Sequence, residues 1–405
     1  MPLRAVPSAL RKIAAGAAAV RPVGDLFVAV TAYKLAEILF FSFTLAYAFS
    51  LGGFRLALAS AWAVAILLTV GYWVALVLMA RSTWRSRHML RIGSVGTCLC
   101  IGAAGLVDGE KLSLAALVSA AVPAGGAYAA KQWNELTRTQ GALRESYLSF
   151  GQSVWALLRV AVLASCAALL AVVDNDFRIF FFVAGLTAAT AIAVAGPLKR
   201  ATAVADIPRP FPVLRTLRYW RNSSFFMLES GAMWLRDLVA VCGAMTLVSS
   251  ASLYGWLETA SSLTAAATMA WLAGRRIERP SIARLQLGLA GAILAWLSYA
   301  GSLVWPPFFA AFIVLRALST PVMAASYDSL VMRSVERSGS HLQSNALARE
   351  VTLLVGRCAT FAVAGAVTLA AVPDPRAALL ASLGLTLLAL PAEYLLACRM
   401  ARRRA

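Results

Sequence analysis

Apolar residues run through this chain in long blocks, at roughly 26 to 51, 54 to 80, 92 to 107, 112 to 130, 148 to 172, 177 to 198, 223 to 249, 252 to 274, 285 to 303, 306 to 332, 346 to 372 and 376 to 397. Each block, about 16 to 28 residues long, approaches the roughly 20 that an α-helix needs to cross a bilayer. None has the two-residue alternation of a half-buried strand. The pattern predicts twelve membrane-spanning helices, with the first two divided only by Gly52-Gly53 and the third, 92 to 107, the shortest.

Composition agrees with that reading: 60% of the residues are hydrophobic, only 14% are charged, and the mean hydropathy is +0.75. Soluble domains carry about a quarter charged residues. The net charge of +19 would suggest nucleic acid in a soluble protein, but its placement argues otherwise. Of the 37 Lys and Arg, 28 lie at the two termini and on every second loop, and four (Arg55, Lys111, Arg178, Arg376) lie on the alternate loops. That asymmetry is the positive-inside pattern for twelve spans with both termini in the cytoplasm of a bacterial inner membrane, and no nucleic-acid partner is expected. The six cysteines sit in apolar blocks without ligand spacing, and the two histidines, His88 and His341, fall in loops, so neither a disulfide framework nor a metal or other cofactor is expected.

An eight-residue string recurs at an offset of about half the chain. Arg144-Glu145-Ser146-Tyr147-Leu148-Ser149-Phe150-Gly151 and Arg349-Glu350-Val351-Thr352-Leu353-Leu354-Val355-Gly356 both read R-E-x-x-L-x-x-G, and each opens an apolar block after a basic loop. Both copies on the basic side imply two halves of equal orientation and six spans each. The chain then divides into an N-terminal arm (1–24), a six-helix bundle (25–198), a Pro-rich basic linker (199–221), a second six-helix bundle (222–398) and a basic tail (399–405).

In this layout the chain resembles the major facilitator superfamily, whose members have two six-helix bundles in parallel repeat around a central linker. The superfamily's loop signature survives as Gly274-Arg275-Arg276 in the second half. The first-half counterpart, Ala80-Arg81-Ser82-Thr83-Trp84-Arg85-Ser86-Arg87, lacks its Asp and Gly, and the Gly-Pro pair of the antiporter signature is absent from the fifth span. The resemblance implies a monomeric secondary transporter, not an enzyme, working by alternating access, with spans one, four, seven and ten around a central cavity. It also implies that Arg144, Glu145, Arg349 and Glu350 act in gating, by pairing with the loops at 85 to 91 and 275 to 284. An interfacial helix start, with Glu at the helix N-terminus and Arg snorkelling to the headgroups, is the alternative for these four.

Charges inside a membrane cost at least about 2.5 to 3.5 kcal/mol each at mid-depth, so those that persist mark a polar interior or pair with one another. Lys34 and Glu37 share a face of span one, and Glu229 and Arg236 share a face of span seven with Asp237 beside them. By the resemblance, Lys34 and Arg236 would stand across the central axis, with Arg316 of span ten adding a third positive charge, an arrangement suited to clamping an anion. Self-neutralisation, Lys34 with Glu37 and Arg236 with Asp237 or Glu229, is the other reading. The substrate-binding candidates are Tyr33, Lys34, Glu37, Tyr128, Glu229, Arg236 and Arg316, and the proton-coupling candidates Glu37, Glu229 and Asp237. The expected partners are a small organic solute, anionic or amphipathic, protons or another coupling ion, and membrane lipids. A non-transporting receptor or scaffold on the same fold and a lipid-modifying membrane enzyme are the competing functions, and the chain has no paired-Asp or His-metal motif to support the second.

Overall fold

The computed structural model describes residues 17–18, 20–80, 82–139, 141–199, 224–248, 250–274, 281–302, 304–305, 307–337, 342–370 and 375–402. Arm residues 1–16, the linker from 200 to 223, the loop carrying Arg275 and Arg276, and residues 403–405 lie outside them.

Among the described residues the chain is helical from end to end. One continuous segment, Gly24–Ala80, is two helices joined at Gly52 and Gly53, where Gly53 takes φ +63°, a left-handed conformation that only glycine adopts cheaply. We number its arms α1 (24–51) and α2 (54–80). There follow α3 (Thr83–Leu106), α4 (Glu110–Ser119 and Ala121–Arg138), α5 (Gly141–Val172) and α6 (Phe177–Ala195). The second half holds α7 (Ser224–Val248), α8 (Ala251–Gly274), α9 (Ser281–Ser302), α10 (Phe308–Arg337), α11 (Leu342–Ala370) and α12 (Pro375–Arg402). The interruption of α4 has a local cause: Pro123 has no N–H to offer the carbonyl of Ser119, four residues earlier.

Among the described residues twelve helices thus form two six-helix bundles in parallel repeat, as the hydropathy predicts. The outer surface is apolar: Trp73, Leu106, Leu157, Val194, Leu294 and Leu388 are exposed where lipid would meet them. In water such a surface would mark an interface. Here it makes the chain a multi-pass membrane protein.

Helices approach closely where glycine removes a side chain. A Cβ on Gly71 of α2 would lie 2.0 Å from the Val122 carbonyl oxygen of α4, and one on Gly356 of α11 1.9 Å from that of Met227 of α7. Gly356 closes the second R-E-x-x-L-x-x-G copy. Its counterpart Gly151 meets nothing closer than the ring of its own helix's Trp155, so the two copies pack differently.

Among the described residues the bundles meet mainly along three seams. α5 packs on α8, and the α1–α2 unit packs on both α7 and α11. Phe41 of α1 stands edge-on to Trp234 of α7, with ring centroids 5.7 Å apart, and Tyr254 of α8 donates to the Ser42 carbonyl of α1 at 3.2 Å. At the end opposite the basic loops, Asn175, held at φ +61° in the α5–α6 turn, accepts from the Ser252 N–H at 2.8 Å and joins the halves there.

Candidate functional site

Three groups of ionic side chains occupy the interior, and the first spans the seam between the halves. Glu258 of α8 receives two guanidinium groups, Arg159 of α5 at 3.2 Å and Arg316 of α10 at 3.0 Å. Arg316 also reaches Asp237 of α7 at 3.4 Å, and Arg159 Nε donates to Ser262 one turn beyond Glu258. One helix of the first bundle and three of the second are therefore tied together. By sequence position along α8 and α10, Glu258 and Arg316 lie about 10 to 12 Å in from the end opposite the basic loops. The Asp237 side chain is 57% exposed, yet Arg316, Arg159 and Glu258 surround it from three other helices.

The second group lies in the first bundle, closer to the basic end. Lys34 and Glu37 form an ion pair at 2.6 Å, one turn apart on α1. The Lys34 ammonium stands 5.9 Å from the Tyr33 ring centre and 5.7 Å from that of Trp155. Lys131 of α4 approaches the same Tyr33 ring at 5.9 Å and the Tyr128 ring at 5.8 Å, and pairs with Glu135 at 3.7 Å. Two ammonium groups thus converge on one tyrosine, with a carboxylate beside each. Glu37 also feels Arg159, which connects this group to the first.

The third group fills the second bundle. Arg236 of α7 donates to Glu393 of α12 at 2.7 Å, with the two side chains 9% and 0% exposed. Arg349 pairs with its neighbour Glu350 at 2.8 Å, and Tyr128 of the first bundle lies within reach of its charge. Arg357 lies over Trp234, 4.8 Å from the ring centre, and its Nε donates to Ser230 at 2.9 Å. Glu229 is buried among Glu393, Arg236, Arg349 and Arg357 and, among the described residues, makes no ion pair within 4.0 Å.

No protein-family profile matches the sequence, and no curated protein matches it. Solved structures do. The nucleoside transporter NupG, in a point-mutant form, superposes with a TM-score of 0.64 at 10% identity, covering 93% of this chain and 99% of that one. The human organic anion transporter MFSD10 superposes at 0.59 and 14% identity, covering 97% and 100%. A bacterial homologue of the lysosomal transporter Spinster, in an inward-facing and occupied conformation, superposes at 0.54 and 14%, covering 94% and 97%. This is the major facilitator superfamily fold.

Within that fold the sequence candidates sort by what they touch. Lys34, Glu37, Tyr33 and Tyr128 come together with Lys131 and Trp155, and Arg316 and Asp237 come together through Glu258. Lys34 and Arg236, expected to face each other as an anion clamp, are each paired inside their own bundle. Arg236 takes neither Asp237 nor Glu229 but Glu393, whose place near a span end gave no sequence signal. Arg144 hydrogen-bonds the Leu136 and Thr139 carbonyls at 3.1 and 2.5 Å, so its charge caps the C-terminus of α4. The Glu145 side chain lies outside the described residues, as do Arg85, Arg275 and Arg276. Lys131 and Glu135 sit near the basic end of α4, beyond the apolar block at 112 to 130. They become interior residues only because α4 runs to Arg138.

Proposed function

We propose that this chain is a secondary transporter that moves a small organic solute across the cytoplasmic membrane by alternating access of its two bundles, coupled to protons, with both termini in the cytoplasm. The observation that carries the reading is the Arg159–Glu258–Arg316–Asp237 network. A static scaffold has little reason to keep four charged groups inside the membrane on four helices, since each costs several kcal/mol to bury. A machine that opens and closes along the α5–α8 seam does, because Arg159 can leave Glu258 while Arg316 still neutralises it.

Solute contacts are assigned to Lys34, Glu37, Tyr33 and Tyr128 on one side and Arg316 on the other, with Glu37, Glu229 and Asp237 as the carboxylates available to protons. Arg349, Glu350 and Tyr128 form the contact between halves at the basic end. Structural neighbours that carry nucleosides and organic anions support transport of small polar solutes. The test compares intracellular metabolites in cells with the wild-type chain, with Arg316→Gln, with Glu37→Gln and without the protein. Wild type shifts the level of at least one metabolite, and both variants lose the shift while keeping wild-type membrane abundance. Equal profiles in all four strains would leave a scaffold or receptor as the better reading.

A further inference from the structure

Among the described residues the third ionic group holds three cations, Arg236, Arg349 and Arg357, and three anions, Glu229, Glu350 and Glu393. Two of the three possible pairs are made, Arg236 with Glu393 and Arg349 with Glu350. The residual two, Arg357 and Glu229, do not meet: neither has an opposite charge within 4.0 Å among the described residues. Arg357 is 5% exposed, and its terminal Nη1 has no hydrogen-bond partner although it is sealed from solvent. Leaving a charged donor unsatisfied in this way is costly, more so than for a neutral group.

Arg357 is also well placed to meet a solute. Trp234 beneath it touches Phe41 of α1, and Tyr128 of α4 is among the groups that sense its charge, so the guanidinium lies beside the seam between the bundles. Ser230 takes Nε and Trp234 lies against the guanidinium, which leaves Nη1 as the donor without a partner among the described residues.

We propose that Arg357 anchors a carboxylate of the transported solute, and that Glu229 takes up one proton from the open side of the membrane in the same step. The stoichiometry follows from electroneutrality. Among the described residues the group is balanced at three against three, so an entering monoanion leaves one uncompensated negative charge in a low-dielectric interior unless one carboxylate is neutralised. Glu393 and Glu350 are held by their arginines. Glu229 faces Arg236 from its own helix, Arg349 and Arg357 from α11 and Glu393 from α12, with no direct contact to hold its proton off. One proton offsets one charge, which selects a monoanion over a dianionic phosphate. The inference rests on the transporter reading and names the solute class of its second-bundle side.

The experiment is equilibrium binding of benzoate to the full chain in detergent, followed by tryptophan fluorescence, with benzyl alcohol as the uncharged isostere. Buffers span a pH range well above benzoic acid's own titration. Wild type binds benzoate and not benzyl alcohol, and its affinity falls about tenfold per pH unit once Glu229 is ionised in the unbound protein. Glu229→Gln binds benzoate with no pH dependence, Arg357→Gln loses binding, and Arg357→Lys recovers part of it. Thermal unfolding without benzoate establishes that each variant is folded. Benzoate binding retained in Arg357→Gln, a flat wild-type pH profile, or no benzoate binding by wild type overturns the inference. Because this readout needs no transport, benzoate binding in a protein that moves no metabolite would sink the transporter reading and leave the anion site standing.

Discussion

Removing the Glu393 carboxylate tests whether Arg236 is a structural pin or a solute ligand. The pair is 2.7 Å long with exposures of 9% and 0%, so solvent screening does little to soften its loss. Breaking a buried ion pair by removing one partner typically costs about 3 to 5 kcal/mol, mostly the penalty of leaving the other charge unmatched. Glu393→Met belongs at the low end, about 3 kcal/mol, because the Glu229 carboxylate two turns along α7 still attracts Arg236. Arg236→Met belongs at the high end, about 5 kcal/mol, because it strands a fully buried carboxylate. The double variant Arg236→Met/Glu393→Met removes both charges at similar volume, and such replacements are often neutral or stabilising. It should therefore lie within about 1 kcal/mol of wild type, a coupling energy far above the roughly 0.5 kcal/mol expected of independent sites. Reversible unfolding in mixed detergent and SDS micelles, read by tryptophan fluorescence, measures all four proteins. If the pair serves only to hold α7 to α12, the double variant should also keep solute flux. A Glu393→Met variant as stable as wild type, or a double variant that loses the sum of the two singles, would refute the reasoning.

Three further outcomes follow from the packing. Gly356→Ala forces a Cβ to 1.9 Å from the Met227 carbonyl and should cost about 1 to 3 kcal/mol or more, whereas Gly151→Ala displaces only the Trp155 ring and should be tolerated; thermal unfolding of the two variants compares them. Gly53→Ala places a side chain at φ +63° and should cost about 1 to 2 kcal/mol without changing the helix content seen by circular dichroism. Asp25→Asn weakens a two-pronged pair with Arg138 (2.6 and 3.1 Å), while the same carboxylate also accepts the Lys199 N–H at 3.0 Å; proteolysis after Lys199 or Arg200 should become faster, and an unchanged cleavage rate would show that this contact does not hold the start of the linker.

What the sequence determined by itself was architecture. Membrane crossing depends on the length of an apolar run, and the loop asymmetry of Lys and Arg depends on counting, so twelve spans in two like-oriented halves need no contact between distant residues. The Gly52-Gly53 break was legible for the same reason, being a local backbone property. The Lys34–Glu37 pair could be read because residues three apart share a helix face.

Only the tertiary structure decided which charges meet across helices. Glu258 joins Arg159 to Arg316, Glu393 takes Arg236, and Lys131 joins Lys34 over Tyr33; each pairing links residues tens to hundreds of positions apart whose proximity comes from packing rather than periodicity. The repeated Arg-Glu string makes the same point from the other side. Equal letters at equal places in the two halves end as a helix cap at Arg144 and a buried ion pair with Glu350 at Arg349, because different neighbours surround them. Burial makes an ionic group's role depend on whatever partner can neutralise it, and that partner is set by the fold.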